Sequence, residues 1–250
     1  MRALYRLSMS ALIGLSFALP ALGSQATAED ASPAATPEVV ASCDGLLTME
    51  PSSPVAEAAI DPTTLDLDVL YIDILIPHHE SAVTMAEIAQ ARSTRPEVVS
   101  LAAGIAAARS AELEQLRTWR ETWYPDVPGL TETQLFAGLE TKASSPGRGG
   151  APGLDDLTTA GAAEAIVELC TETDLLDLAF IDHMVEHLTG AVLISELVAV
   201  EAVHPELAAF ARTVVDTQGA QIATMLGWRD AWYGGYPSDH HGGDEGTPES

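Results

Sequence analysis

Four histidines in this chain stand where imidazoles can converge on one ion. His183 and His187 are four residues apart, the spacing that puts two side chains on the same face of a helix and lets two imidazoles reach one metal. His78 occupies the position that matches His187, because residues 71–124 recur as residues 180–233 at a constant offset: 187 minus 78 is 109, and so is 232 minus 123 between Trp232 and Trp123. His79 follows His78 and is rotated from it by about 100° on a helix. The repeat also pairs Asp73 with Asp182, Ala82 with Ala191, Val83 with Val192, Pro96 with Pro205, Trp119 with Trp228 and Arg120 with Arg229. Two copies of this length make a supersecondary unit and are too few for a solenoid.

The elements that must position these side chains are helices. From Leu65 to about Ala91 apolar residues recur at three and four, and Tyr71, Ile74, His78, Ala82 and Met85 share one face. In the second copy that face reads Phe180, His183, His187, Ala191 and Ile194. Asp61 followed by Pro62 reads as an N-cap with proline at the first helical position. Second helices start at Pro96 and Pro205, the first of them stopped by Tyr124-Pro125. Their packed faces read Ile105, Arg109, Glu112, Leu116, Trp119, Trp123 and Val214, Gln218, Gln221, Met225, Trp228, Trp232. A buried polar group costs about 1–3 kcal/mol when unsatisfied, so Arg109, Glu112, Gln218 and Gln221 need partners across the bundle. His, Glu, Gln and Met arriving from four helices is how bundle proteins build metal sites. Asp73 and Asp182 precede the paired histidines by five residues and read either as carboxylates that orient an imidazole or as surface residues. Met85, Met184 and Met225 read individually as core filler.

Two helical hairpins joined by a long connection predict an all-α, four-helix bundle. The chain divides into a leader over 1–28, an arm over 29–59, a bundle over 60–236 and an acidic tail over 237–250. Within the bundle the first copy spans 65–124, the linker 125–160 and the second copy 174–233. Short helices are expected near Gln134–Leu139 and Leu157–Leu169. The leader begins with Arg2 and Arg6, carries an apolar run from Leu7 to Leu22 and ends in Ala26-Thr27-Ala28, the pattern of a secretory signal. No later segment reads as long and uncharged enough to span a bilayer. The expected location is secreted or extracytoplasmic. Val40-Ala41-Ser42-Cys43 resembles a lipoprotein cleavage box but lies well beyond the apolar run. Cys43 and Cys170 are the two cysteines, and in an oxidising compartment they are expected to pair.

The formal charge of −26, from 37 acidic and 11 basic residues, repels phosphate backbones and argues against nucleic acid as a partner. Anionic membranes are disfavoured for the same reason. His240-His241 in the tail could catch a cation loosely, and His204 before Pro205 reads as a helix-start residue. The chain carries no nucleophile elbow, phosphate-binding glycine loop or His-Glu-x-x-His motif.

Ile76-Pro77-His78-His79-Glu80-Ser81-Ala82-Val83-Thr84-Met85-Ala86 resembles the signature of the family catalogued as domain of unknown function 305, Met-Ile-Pro-His-His-x-x-Ala-x-x-Met-Ala, which is followed by a helix bearing Gln-x-x-Glu-Ile-x-x-Met-x-x-Trp. The resemblance covers both copies. It implies an exported, ferritin-like four-helix protein of a family with copper-binding members. It also implies ligand candidates: His78, His79 and Met85 with Glu112 in the first copy, and Met184, His187, Gln218 and Met225 in the second. Each copy departs from the pattern. Leu75 and Leu116 replace methionines and Arg109 replaces glutamine in the first. In the second, Glu186 stands for proline, Leu188 for the second histidine, Ile194 for methionine and Gln221 for glutamate. One composite site using both halves is therefore expected.

The leading reading is a metal-binding protein that sequesters or transfers copper rather than turning over a substrate, with zinc or iron as alternative ions. A ferritin-like oxidase or peroxide-handling enzyme is a rival, although the chain lacks that bundle's Glu-x-x-His pairs on two helices, since neither Glu80 nor Glu186 precedes a histidine at that spacing. The third reading is a structural module whose polar stripe fixes the register of the two halves.

Overall fold

The computed structural model describes Cys43, residues 60–143 and residues 157–234. The expected leader, the arm other than Cys43, the centre of the linker, and the tail with His240-His241 lie outside the described residues. The described chain forms α1 (Leu67–Arg92), α2 (Pro96–Trp123), α3 (Glu132–Ala143), α4 (Thr159–Thr171), α5 (Leu176–Glu201) and α6 (Pro205–Tyr233). There is no strand among the described residues, and the fold class is all-α. α1 with α2 and α5 with α6 are the two hairpins. The hairpins meet through α1 and α5, while α3 and α4 pack on α1, and α4 also on α5.

Pro96 and Pro205 begin their helices, as the fixed φ and missing N–H of proline favour. Asp61 does cap a proline-led segment, accepting from the Thr63 amide at 3.0 Å, but that segment is the short 3-10 turn Pro62–Thr64. The long helix starts later, at Leu67, because Leu65 and Asp66 are extended. α3 approaches α1 closely at Gly138: a Cβ there would lie 2.9 Å from both Leu70 Cδ2 and the Pro62 carbonyl.

α1 and α5 are the central pair, which explains why apolar residues appear on more than one face of each. Against expectation, α5 has the length and hydropathy of a membrane span. Here those residues pack on α1, α4 and α6. The core falls into two apolar clusters. One gathers around Leu70, Tyr71, Leu75, Leu116 and Ile194. The other gathers around Met85, Ile105, Phe180, Met184, Leu188 and Met225. Between them along α1 and α5 lie the buried His78, His79 and His187, joined from α2 and α6 by Arg109 and Gln218.

The periphery holds the hairpins in register by a reciprocal exchange. His204, at the turn of the second hairpin, stacks on Trp123 of the first at 3.8 Å, and its Nδ1 meets Asp68 Oδ2 at 2.8 Å. Arg95, the matching residue of the first hairpin, lies 4.4 Å over Trp232 of the second and reaches Asp177, the match of Asp68, at 3.2 Å. Each turn thus places a cation-capable side chain on the partner hairpin's tryptophan and acid. The four tryptophans are half-buried edge residues rather than core; Trp119 stacks on Trp123 at 5.0 Å and Trp228 on Trp232 at 5.1 Å.

Cys43 and Cys170 form a disulfide. It ties the arm to the end of α4 and leaves Cys43 no thiol for a lipid thioether.

Candidate metal centre

His78 and His187 come from facing helices at matching positions, and their rings stack at 3.6 Å with 11° between planes. His187 Nε2 lies 2.9 Å from the backbone carbonyl of His78. A carbonyl only accepts, so Nε2 carries the proton and Nδ1 of His187 carries the lone pair. Both ring nitrogens of His78 are buried without a hydrogen-bond partner. Burial, with the neighbouring imidazole as the next cause, holds His78 well below the ordinary histidine range. Burial likewise lowers His187 to about 4. Both rings are therefore neutral near pH 7, the form that ligates metals.

Next to the stack is a cavity of about 90 Å³ lined by Met85, His183, Glu186 and His187, and by Gly161, Ala162 and Ala165 of α4. His183 Nε2 meets Glu168 Oε2 at 2.9 Å. The i, i+4 spacing on α5 does bring His183 and His187 to one wall, and α1 brings the Met85 thioether to the other.

The remaining candidates lie elsewhere in the layer. His79 is fully buried, and its Nε2 lies 2.8 Å from Glu112 Oε2. The distance pairs them, although the ring N–H is not aimed along it; burial outweighs the carboxylate and lowers the pKa of His79. Arg109 dominates this side. Its Nη2 donates to Glu112 Oε1 at 3.0 Å and its Nε lies 2.9 Å from Oε2. Gln218, with its amide turned to satisfy both ends, accepts from Arg109 and donates to the Leu188 carbonyl at 3.3 Å. His79, Glu112 and Gln218 are thus engaged with one another or with Arg109 rather than with the cavity. Met184 and Met225 are fully buried in the apolar cluster beside it. Asp73 and Asp182 hold Arg120 and Arg229, each with an Nε–Oδ1 distance of 2.6 Å.

Among the described residues, no three His, Cys, Asp or Glu side chains converge so as to hold an ion. Met85 lines the same cavity as His183 and His187, so a thioether-bearing side chain stands beside the two imidazoles. The residues that the sequence did not point to are Gly161, Ala162 and Ala165, which line the cavity, and Glu168, which meets His183. They sit on α4, outside the repeat, where neither periodicity nor the 109-residue offset applies.

The fold is similar to that of a DUF305 protein from Streptomyces coelicolor, at 21% identity and a TM-score of 0.53 over 66% of this chain and 93% of that one. CopM in its Cu(I)-bound form is 25% identical with a TM-score of 0.49, over 66% of this chain and 97% of that one. Its Cu(II)-bound form gives 25% and 0.49 over 66% and 98%. No curated protein matches the sequence. The family described as "Domain of unknown function (DUF305)" matches residues 68–167 and 177–250, which take in both hairpins and more than half of the chain. By that match, and by a bundle of two repeated helical hairpins, the chain belongs to the DUF305 family.

Proposed function

We propose that this protein is an exported copper-binding protein that sequesters or transfers the ion through one composite site, with Met85, His183 and His187 as ligands and His78 beside them. The observation that carries the reading is the cavity lined by those three donors from both halves of the repeat. Two imidazoles and a thioether form a borderline-to-soft set that suits Cu(I). Zinc and iron sites draw on thiolates, carboxylates or further imidazoles, and among the described residues no three such side chains converge. His78 fits the same picture, since two buried ring nitrogens without partners are costly in the absence of a ligand. Because the His78 and His187 rings lie nearly parallel, their lone pairs do not converge. Joint ligation by both therefore requires one ring to turn out of the stack. Export is supported by the leader pattern and by the disulfide, which belongs to an oxidising compartment.

The test is Cu(I) titration of the mature protein against a competing chelator, beside His187→Ala, His183→Ala and Met85→Leu. One equivalent bound by the wild type, and affinity reduced in all three variants, is the expected result. Equal binding by the wild type and His187→Ala would sink the proposal.

A second reading holds for the other side of the layer. The chain from His79 and Glu112 through Arg109 to Gln218 is a structural network. It predicts that Glu112→Ala destabilises the metal-free protein while copper stoichiometry stays unchanged.

A further inference from the structure

The repeat supplies Met85, His183 and His187, but one wall of the cavity comes from outside it. α4 lines the cavity with its small residues Gly161, Ala162 and Ala165, and carries Glu168 one turn further on. Both ends of α4 are fastened. The Thr159 amide and hydroxyl donate to the Glu132 carboxylate at 2.9 and 2.8 Å. At the other end Arg92 donates to the Leu169 carbonyl and, at 2.7 Å, to that of Glu172, while Cys170 is bonded to Cys43. The Glu168 carboxylate is therefore presented from a fixed helix, two residues from the disulfide.

Glu168 meets His183 Nε2 at 2.9 Å, and its side chain is 42% exposed. Ion pairs this exposed contribute little to folding. A carboxylate on the second nitrogen of a ligating imidazole has a different effect. It holds the proton on that nitrogen, fixes the ring and raises the basicity of the other nitrogen. His187 has an equivalent arrangement, with the His78 carbonyl as its acceptor.

We propose that Glu168 is a positioning residue of the metal site: it fixes His183 in the Nε2–H tautomer so that Nδ1 is the ligating atom. The inference rests on the copper reading above. It makes α4, absent from the repeated unit, the element that completes the site.

The experiment uses the mature, disulfide-bonded protein. Cu(I) affinity is measured by chelator competition for wild type, Glu168→Gln, Glu168→Ala and His187→Ala. The His183 tautomer is read from ¹⁵N shifts of the metal-free protein. Glu168→Ala is expected to weaken Cu(I) binding by about 10–100-fold with little change in Tm, and to lose the preference for Nε2–H. Glu168→Gln keeps an acceptor oxygen and is expected to recover the tautomer and part of the affinity. If wild-type affinity is lost in His187→Ala but unchanged in Glu168→Ala, the role of Glu168 is overturned and the copper site stands. If the wild type binds no Cu(I), both fall. A His183 that is Nδ1–H in the wild type overturns the positioning role regardless of affinity.

Discussion

In the first hairpin Asp73 holds Arg120, and in the second Asp182 holds Arg229, with the same 2.6 Å between Nε and Oδ1. A little further toward the middle of the layer the correspondence stops. Where the first hairpin has Arg109 and Glu112 the second has Gln218 and Gln221. His79 is answered by Leu188, Met85 by Ile194, and Ile74 by His183. The outer contacts are kept in both copies because they set the register of two halves that must bury their apolar faces against each other. The interior is free to differ once the register is fixed. One half then carries a charge network and the other a pair of histidines at a cavity. A duplicated frame thus holds two unlike interiors among the described residues, in keeping with the one composite site proposed above.

The comparison breaks most decisively at Arg109. Its guanidinium is buried against Glu112 and Gln218, so Arg109→Ala strands a carboxylate and should cost about 3–5 kcal/mol. Gln218→Ala should cost clearly less, about 1–2 kcal/mol. Urea unfolding of both variants measures this. Equal losses would mean that the two halves of the layer are energetically alike.

Next in size is a pH effect at the stacked pair. His187 titrates at about 4 in the fold against 6.5 in a free chain. Below 6.5 the unfolded state takes up a proton that the folded state refuses. Stability is therefore whole above 6.5 and falls as pH drops toward 4, by roughly 3 kcal/mol for this one group. His78 shifts in the same direction, with the same sign. His187→Asn should flatten the slope between pH 6.5 and 4 relative to wild type, a difference in which the carboxylate contributions largely cancel. An unchanged slope would show that His187 is not buried neutral.

Tyr71 and Ser195 offer a finer test. Their hydroxyls meet at 2.7 Å in the core, whereas the matching residues are Phe180 and Ala86. Tyr71→Phe should cost about 1–2 kcal/mol by leaving the Ser195 hydroxyl unsatisfied, and adding Ser195→Ala should restore most of it. A double variant as unstable as the single would mean that the tyrosine acts through packing. The smallest effect belongs to the shared periphery. Asp73→Asn and Asp182→Asn should each cost at most about 1 kcal/mol, and equally. Thermal shifts that differ strongly between them would break the equivalence of the two edges.

The repeat, the helical class, the proline-led starts of α2 and α6 and the facing of His78 and His187 were all legible in the chain. Each depends on local period or on the constant offset between copies. The conversion of Asp61-Pro62 into a separate 3-10 turn was not legible, since capping chemistry is the same for a turn and for a helix. Nor could the sequence divide the nine candidate ligands. Glu112 shares a helix with Arg109 while His79 and Gln218 come from two others, and which partners a buried guanidinium takes depends on distances across helices.

By itself, then, the sequence determined two hairpins, a polar layer between apolar runs and a paired histidine on each central helix. These are consequences of periodicity along one chain. Only the tertiary structure decided that Arg109 draws His79, Glu112 and Gln218 to one side, leaving Met85, His183 and His187 around a cavity on the other. It alone brought in Glu168, from a helix that no repeat predicts, because side chains far apart in the chain meet only where packing puts their backbones.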